Sequence, residues 1–191
     1  MTGTGVMIKG FFFDLDGTIV DTHQANFEAY RRSLEDFGVQ LEFEQFKKSL
    51  GHQAQVFLRW FAPGLSDEDY LHIAETKARY YKDFVHLSVL NRQLIKFIDD
   101  LAEDHTIGLV TTAKRQNAEA VLSHHKLDTL FDIIITAEDV RRSKPSPEAY
   151  LLALKIADLE SSEALAFEDS EPGMAAAEAA GISVVHIRKF I

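Results

Sequence analysis

The sequence predicts an α/β protein: a parallel sheet flanked by helices, broken directly after its first strand by an all-helical insertion. Two patterns carry this. Beyond residue 90, short apolar runs alternate with stretches whose apolar residues recur every three or four positions, which is the arithmetic of βαβ units. From 21 to 87 only the second pattern occurs. With 191 residues and 46% hydrophobic content the chain can bury a sizeable core,.

The first strand is read from Phe11-Phe12-Phe13, preceded by Val6, Met7 and Ile8. A continuous apolar run of this kind suits a strand buried on both faces, as in parallel sheets. It ends at Asp14-Leu15-Asp16-Gly17-Thr18, whose Asp and Gly favour a turn. Asp14 and Asp16 should therefore project from the strand's carboxyl end, where open α/β sheets bind ligands. Taken alone, the same run could be an acidic turn closing a strand. A calcium loop fails on spacing: counted from Asp14, the sixth and twelfth places hold Ile19 and Ala25 rather than Gly and Glu,.

The insertion follows. Phe27, Tyr30, Leu34 and Phe37 mark one face of a helix over roughly 22–37, ended by Gly38,. Glu42–Leu50 and Ala54–Phe61 read as two short helices divided by Gly51-His52 and stopped by Pro63-Gly64,. Ser66 with Asp69 approximates a capping box, and Leu71, Ala74, Ala78, Tyr81 and Val85 line a longer helix to about 87,.

Thereafter Leu94, Ile98 and Leu101 predict a helix, Ile107–Val110 a strand, Ala118, Val121, Leu122 and His125 a helix, and Ile133–Ile135 a strand,. Ser146 should cap a helix that has Pro147 at its first position and Leu151 and Leu154 inside,. Ala164–Phe167 is a strand, Pro172–Ala180 an Ala-rich helix closed by Gly181, and Ser183–His186 the last strand. This divides the chain into a core of residues 1–20 and 88–191 and a helical cap of 21–87, with hinges near 18–22 and 86–90.

A net charge of −10 argues against general affinity for nucleic acid or anionic membrane,. An anionic ligand would need local positive charge or a metal. The absence of cysteine removes disulfides and thiolate metal sites,. No stretch reaches membrane-spanning length, and a soluble cytoplasmic protein, monomeric or a weak homodimer, is the expectation. Gly3 and Gly5 precede the first strand, so they do not make a dinucleotide fingerprint,.

Three further polar clusters stand at comparable places: Thr111-Thr112 after the Ile107 strand, Lys144-Pro145 before a capped helix, and Glu168-Asp169-Ser170 after the Ala164 strand. In a parallel sheet these ends converge. Together with Asp14-Leu15-Asp16-Gly17-Thr18, the run Lys144-Pro145-Ser146-Pro147-Glu148-Ala149-Tyr150 and Phe167-Glu168-Asp169-Ser170 with Gly173 and Ala176-Ala177, the chain resembles the haloacid dehalogenase (HAD) superfamily in all four of its ordered motifs. The helical insertion is similar to the small cap of its phosphoglycolate phosphatase and β-phosphoglucomutase branch.

The resemblance implies a Rossmann-like core and a Mg²⁺-dependent phosphatase of small phosphorylated metabolites. A phosphate dianion would be repelled by carboxylates unless a divalent cation intervened, and hard carboxylate oxygens select Mg²⁺. By the resemblance, Asp14, the Asp16 carbonyl, Asp169 and Glu168 would hold the metal. Asp14 would attack phosphorus to form an aspartyl phosphate. Asp16 would protonate the departing alcohol and then activate water. Thr111 would bind a phosphoryl oxygen, and Lys144 would offset charge and orient Asp14. Asp16 and the Glu168-Asp169 pair favour phosphoryl transfer over metal-free dehalogenation.

Two alternatives stay open: a sugar phosphomutase, and a non-catalytic phosphate-binding or regulatory protein. The place of a cap-junction histidine in β-phosphoglucomutases falls on Asn26, which weighs against the mutase. Asn26, His52 and Thr112 are the candidate substrate contacts, Thr112 standing where many members have Asn. Arg59 and Lys77 are further anion contacts to consider, although solvated helix charges would look the same. Among eight histidines no metal-ligand spacing appears, and the adjacent His124 and His125 should point apart on a helix,.

Overall fold

The three consecutive phenylalanines form the centre of a five-stranded parallel sheet. In the computed structural model, which describes residues 7–49 and 54–188, the strands are Gly10–Phe13 (β1), Val20–Asp21 (β2), Val89–Leu90 (β3), Thr106–Val110 (β4), Ile133–Ile135 (β5), Ala164–Glu168 (β6) and Ser183–His186 (β7). The helices are His23–Glu35 (α1), Phe43–Lys47 (α2), Ala54–Phe61 (α3), Asp67–Phe84 (α4), Arg92–Leu101 (α5), Arg115–His125 (α6), Glu148–Ala157 (α7) and Glu171–Ala179 (α8). The sheet order is β5-β4-β1-β6-β7, every pairing parallel.

Side chains alternate across a strand, so neighbours in the Phe triplet serve opposite faces. Phe12 is fully buried with Ala149, Tyr150, Ala153 and Leu154 of α7 and Ala176 and Ala177 of α8. Phe13 stacks on Phe167 at 4.6 Å between centroids, and Phe11 meets Phe97 of α5 edge-on at 6.2 Å. Burying one such ring stabilises by about 1.5–3 kcal/mol, so the strand that carries Asp14 is also a main anchor of the core. The Ala-rich α8 packs its small residues against the sheet, as its composition suggests.

The chain divides into two compact units, one made of the residues up to Asp21 with those from Val89 onward, the other Thr22–Ser88. The second unit is helical and has its own core of Phe27, Leu34, Leu41, Phe46, Phe57, Leu58, Tyr70 and Ile73, with Tyr30 and Phe37 packed at its margin. Its longest helix starts at the Ser66/Asp69 capping box.

Four local expectations are corrected. The first strand begins at Gly10, and Met7 is exposed. Residues 20–21 and 89–90 form an antiparallel ladder, Val20 opposite Leu90, where only connecting chain is expected; two residues are too few to show a period. The buried stripe of α4 uses Tyr70 and Ile73, while Leu71 faces solvent. Tyr70 can be buried because its hydroxyl donates to the Ala62 carbonyl at 2.8 Å,. On α7 the buried residues include Tyr150 while Leu151 is exposed, and Pro147 rather than Ser146 occupies the cap position.

Candidate active site

The sheet register brings the site together. Phe13 of β1 is level with Leu109 of β4 and Phe167 of β6. The next residues along each strand, Val110, Asp14 and Glu168, therefore lie side by side at the carboxyl ends of the three central strands. The Asp14 N–H still donates to the Phe167 carbonyl at 3.0 Å; beyond it the Asp-Leu-Asp-Gly run turns the chain. Gly17 makes that turn at φ +90°, and any Cβ there would strike the Asp169 carboxylate,.

One ammonium caps this row. Lys144 Nζ donates to Asp14 Oδ1 at 2.7 Å, to the Val110 carbonyl at 2.7 Å and to Glu168 Oε1 at 2.6 Å. Those three bonds use all its N–H groups, and its side chain is only 3% exposed. The loop that presents it is tied to α7: the Glu148 carboxylate accepts from the backbone N–H groups of Arg141 at 2.7 Å and Arg142 at 3.2 Å. Tyr150, in the first turn of α7, donates its hydroxyl to the same Glu168 Oε1 at 2.6 Å.

Electrostatics follow from burial and crowding. Burial pushes the Asp14 carboxyl well above the usual carboxylate range; Lys144 opposes this, while Glu168, Asp16 and Asp169 add to it,. For Lys144 burial disfavours the charged form, but Asp14 and Glu168 outweigh it and leave the ammonium held more tightly than usual. Asp14 and Glu168 thus share one ammonium, with the Asp16 and Asp169 carboxylates adding negative charge beside them. The imbalance fits a divalent metal, and so do the donors. One oxygen each of Asp14, Glu168 and Asp169 lie within 4.8 Å of one another. Glu168 Oε2 is buried and has no hydrogen-bond partner among the described residues. An unpaired buried carboxylate oxygen is costly, and a hard cation would satisfy it. Gly173 leaves space there, since a Cβ at that position would collide with the Glu168 carboxylate.

The other candidates sort themselves. The half-buried Asp16 lies outside that close group of carboxylate oxygens, though it acts electrostatically on Asp14. Thr111 is buried, and its Oγ1 accepts from the Ala113 N–H at 3.0 Å, which leaves the hydroxyl proton able to donate elsewhere,. Thr112 is exposed. Asn26 Nδ2 donates to the Thr22 carbonyl and hydroxyl, and its Oδ1 accepts from Lys77 at 2.6 Å. Lys77 also lies over the rings of Tyr81 and Tyr30. Arg59 pairs with Asp67 and stacks on Tyr70, a solvated helix charge. His52 lies outside the described residues. His124 and His125 do not point apart; their rings meet edge to face at 4.8 Å between centroids. Tyr150 closes the Lys144–Tyr150 run of the sequence, but sequence reasoning gave it no role. Its signal was its place in the buried stripe of α7, six residues after Lys144.

The fold and site define a class: a parallel α/β domain whose central strand ends in a carboxylate clamped by a buried lysine, beside a group of acids suited to a divalent cation. The haloacid dehalogenase-like hydrolase family model matches residues 11–187. The chain belongs to that family. It is 27% identical to the phosphorylated carbohydrates phosphatase of Thermotoga maritima, over 94% of this chain and 84% of the relative. It is 28% identical to the fructose-1-phosphate phosphatase YqaB of Escherichia coli, over 94% and 96%. The crystal structure of β-phosphoglucomutase from Clostridium difficile superposes with a TM-score of 0.77 at 26% identity, over 94% and 84%.

Proposed function

We propose that this hydrolase is a Mg²⁺-dependent phosphatase of small phosphorylated metabolites, with phosphorylated sugars the first class to test. The observation that carries the proposal is the clamp on Asp14, whose Oδ1 is held by Lys144 beside Glu168 and Asp169. The two phosphatase relatives, both named for sugar phosphates, support the substrate class.

In this reading Asp14, Glu168 and Asp169, with the Asp16 carbonyl, would hold Mg²⁺, which supplies charge neutralisation for the incoming dianion. With Oδ1 fixed by Lys144, Asp14 attacks phosphorus through Oδ2. The new O–P bond forms as the bond to the alcohol oxygen breaks, and the Asp16 carboxyl delivers a proton to that oxygen. The Asp16 carboxylate then takes a proton from water, which attacks the aspartyl phosphate, releases inorganic phosphate and restores Asp14. Thr111 donates its hydroxyl proton to a phosphoryl oxygen. Lys144, its three N–H groups spent on protein acceptors, orients the nucleophile and balances charge rather than gripping substrate. The helical cap of 21–87 would govern access and choice of substrate.

Likeness to β-phosphoglucomutase supports a second reading, isomerisation of a sugar phosphate primed by a bisphosphate. Asn26 counts against it, because an amide cannot exchange a proton. The test is a phosphate-release screen over metabolite monoesters, with and without Mg²⁺, alongside Asp14→Asn. Phosphate release that needs both Mg²⁺ and Asp14 is expected. Isomer formation with little phosphate release would favour the mutase, and no turnover of any ester would favour a non-catalytic phosphate-binding role.

A further inference from the structure

Glu168 is an unusual ligand candidate because its two oxygens are treated unequally. Oε1 accepts two short hydrogen bonds, from Lys144 Nζ and from the Tyr150 hydroxyl, both at 2.6 Å. Oε2 accepts none from the described residues, although Glu168 is 0% exposed. A buried carboxylate with one oxygen doubly bonded and the other bare is oriented for something absent from the protein's own hydrogen bonding. The Lys144 bond alone does not explain the asymmetry, because that ammonium is shared with Asp14 and Val110.

Tyr150 contributes the second constraint. It is fully buried on α7, it packs with Phe12 and the alanines of α8, and the Lys144 ammonium lies 5.3 Å from its ring centroid. Its ring cannot move without disturbing that core, so its hydroxyl is a fixed donor. We propose that Tyr150 is a positioning residue for the divalent-cation site, its hydroxyl locking the Glu168 carboxylate in the orientation that leaves Oε2 for the metal. This rests on the metal-dependent reading above and adds a residue to it. Hydrogen-bond partners of metal-ligating groups set ligand orientation, and losing one typically weakens metal binding by about 10–100-fold.

The test uses Mn²⁺ as probe on metal-free protein without substrate, so turnover is not needed. Titration calorimetry compares wild type, Tyr150→Phe, Glu168→Gln and the double variant, and melting in chelator and at fixed Mn²⁺ supplies a second measure of affinity. Tyr150→Phe should bind Mn²⁺ about tenfold more weakly, the Mg²⁺ requirement for turnover should shift by the same factor, and the effect should disappear in the Glu168→Gln background. An unchanged Mn²⁺ affinity, even with a lowered melting temperature in chelator, would reduce Tyr150 to core packing and overturn the proposal. An equal weakening in the Glu168→Gln background would overturn it too, since the effect would not run through Glu168. Wild type that binds no Mn²⁺ at all would instead sink the metal-dependent reading on which the proposal stands.

Discussion

Replacing Lys144 with Met keeps the unbranched stem of the side chain and removes the charged Nζ. In the metal-free protein this takes the cation away from Asp14 Oδ1, the Val110 carbonyl and Glu168, which keeps its bond from the Tyr150 hydroxyl. Removing one partner of a buried ionic pair costs about 3–5 kcal/mol, because the other charge stays buried and uncompensated. For a chain of 191 residues each kcal/mol moves the melting temperature by about 2–4 °C, so the expected loss is about 6–20 °C. The loss should depend on pH. Burial already holds the Asp14 carboxyl above its ordinary value, and Lys144 is what opposes that; without Lys144 it rises further. A carboxyl raised in the folded state contributes stability that is complete below its unfolded value of about 3.9 and lost as pH rises through the folded one. The raised Lys144 ammonium contributes fully below about pH 10.4, so the wild type keeps its cation between pH 5 and 8. Circular dichroism melts in chelator should therefore show a deficit for Lys144→Met that grows as pH rises, with part of it recovered by saturating Mg²⁺,. A variant melting within 2 °C of wild type at pH 8, a margin about the size of a single kcal/mol, would refute the clamp as a structural element.

Other outcomes follow from the same geometry. Asp16→Asn should lower turnover by about 10²–10⁴-fold, and more for an alkyl phosphate than for p-nitrophenyl phosphate, whose leaving group needs no proton; equal losses would remove Asp16 as proton donor. Gly173→Ala sets a methyl group against the Glu168 carboxylate and should destabilise by about 1–3 kcal/mol while weakening Mn²⁺ binding; a wild-type melting curve and affinity would contradict it. Thr111→Val should reduce kcat/KM by about 10²–10³-fold, the cost of one lost donor to the phosphoryl group, with Thr111→Ser keeping most of the activity.

Much of the architecture could be read before any coordinates. The aromatic run 11–13, the Ser66/Asp69 capping box and the Ala-rich helix are local signals, and each appears where its residues call for it. Errors arose where local chemistry underdetermines direction. Leu71 and Leu151 are apolar and exposed, whereas Tyr70 and Tyr150 are polar-tipped and buried because their hydroxyls find partners, Ala62 and Glu168. Rules that rank residues by hydrophobicity place such pairs the wrong way round.

By itself the sequence determined the kinds of elements and the polar residues that end them, because strand runs, turn chemistry and helical period depend on near neighbours along the chain. Only the tertiary structure decided that Val110, Asp14 and Glu168 stand level, that a single lysine spans all three, and that one oxygen of Glu168 is doubly held while the other is bare. Those facts follow from the register between strands 96 and 154 residues apart, as in the pairs Phe12 with Gly108 and Phe13 with Phe167. Register is set by the packing of the whole sheet rather than by any segment of it.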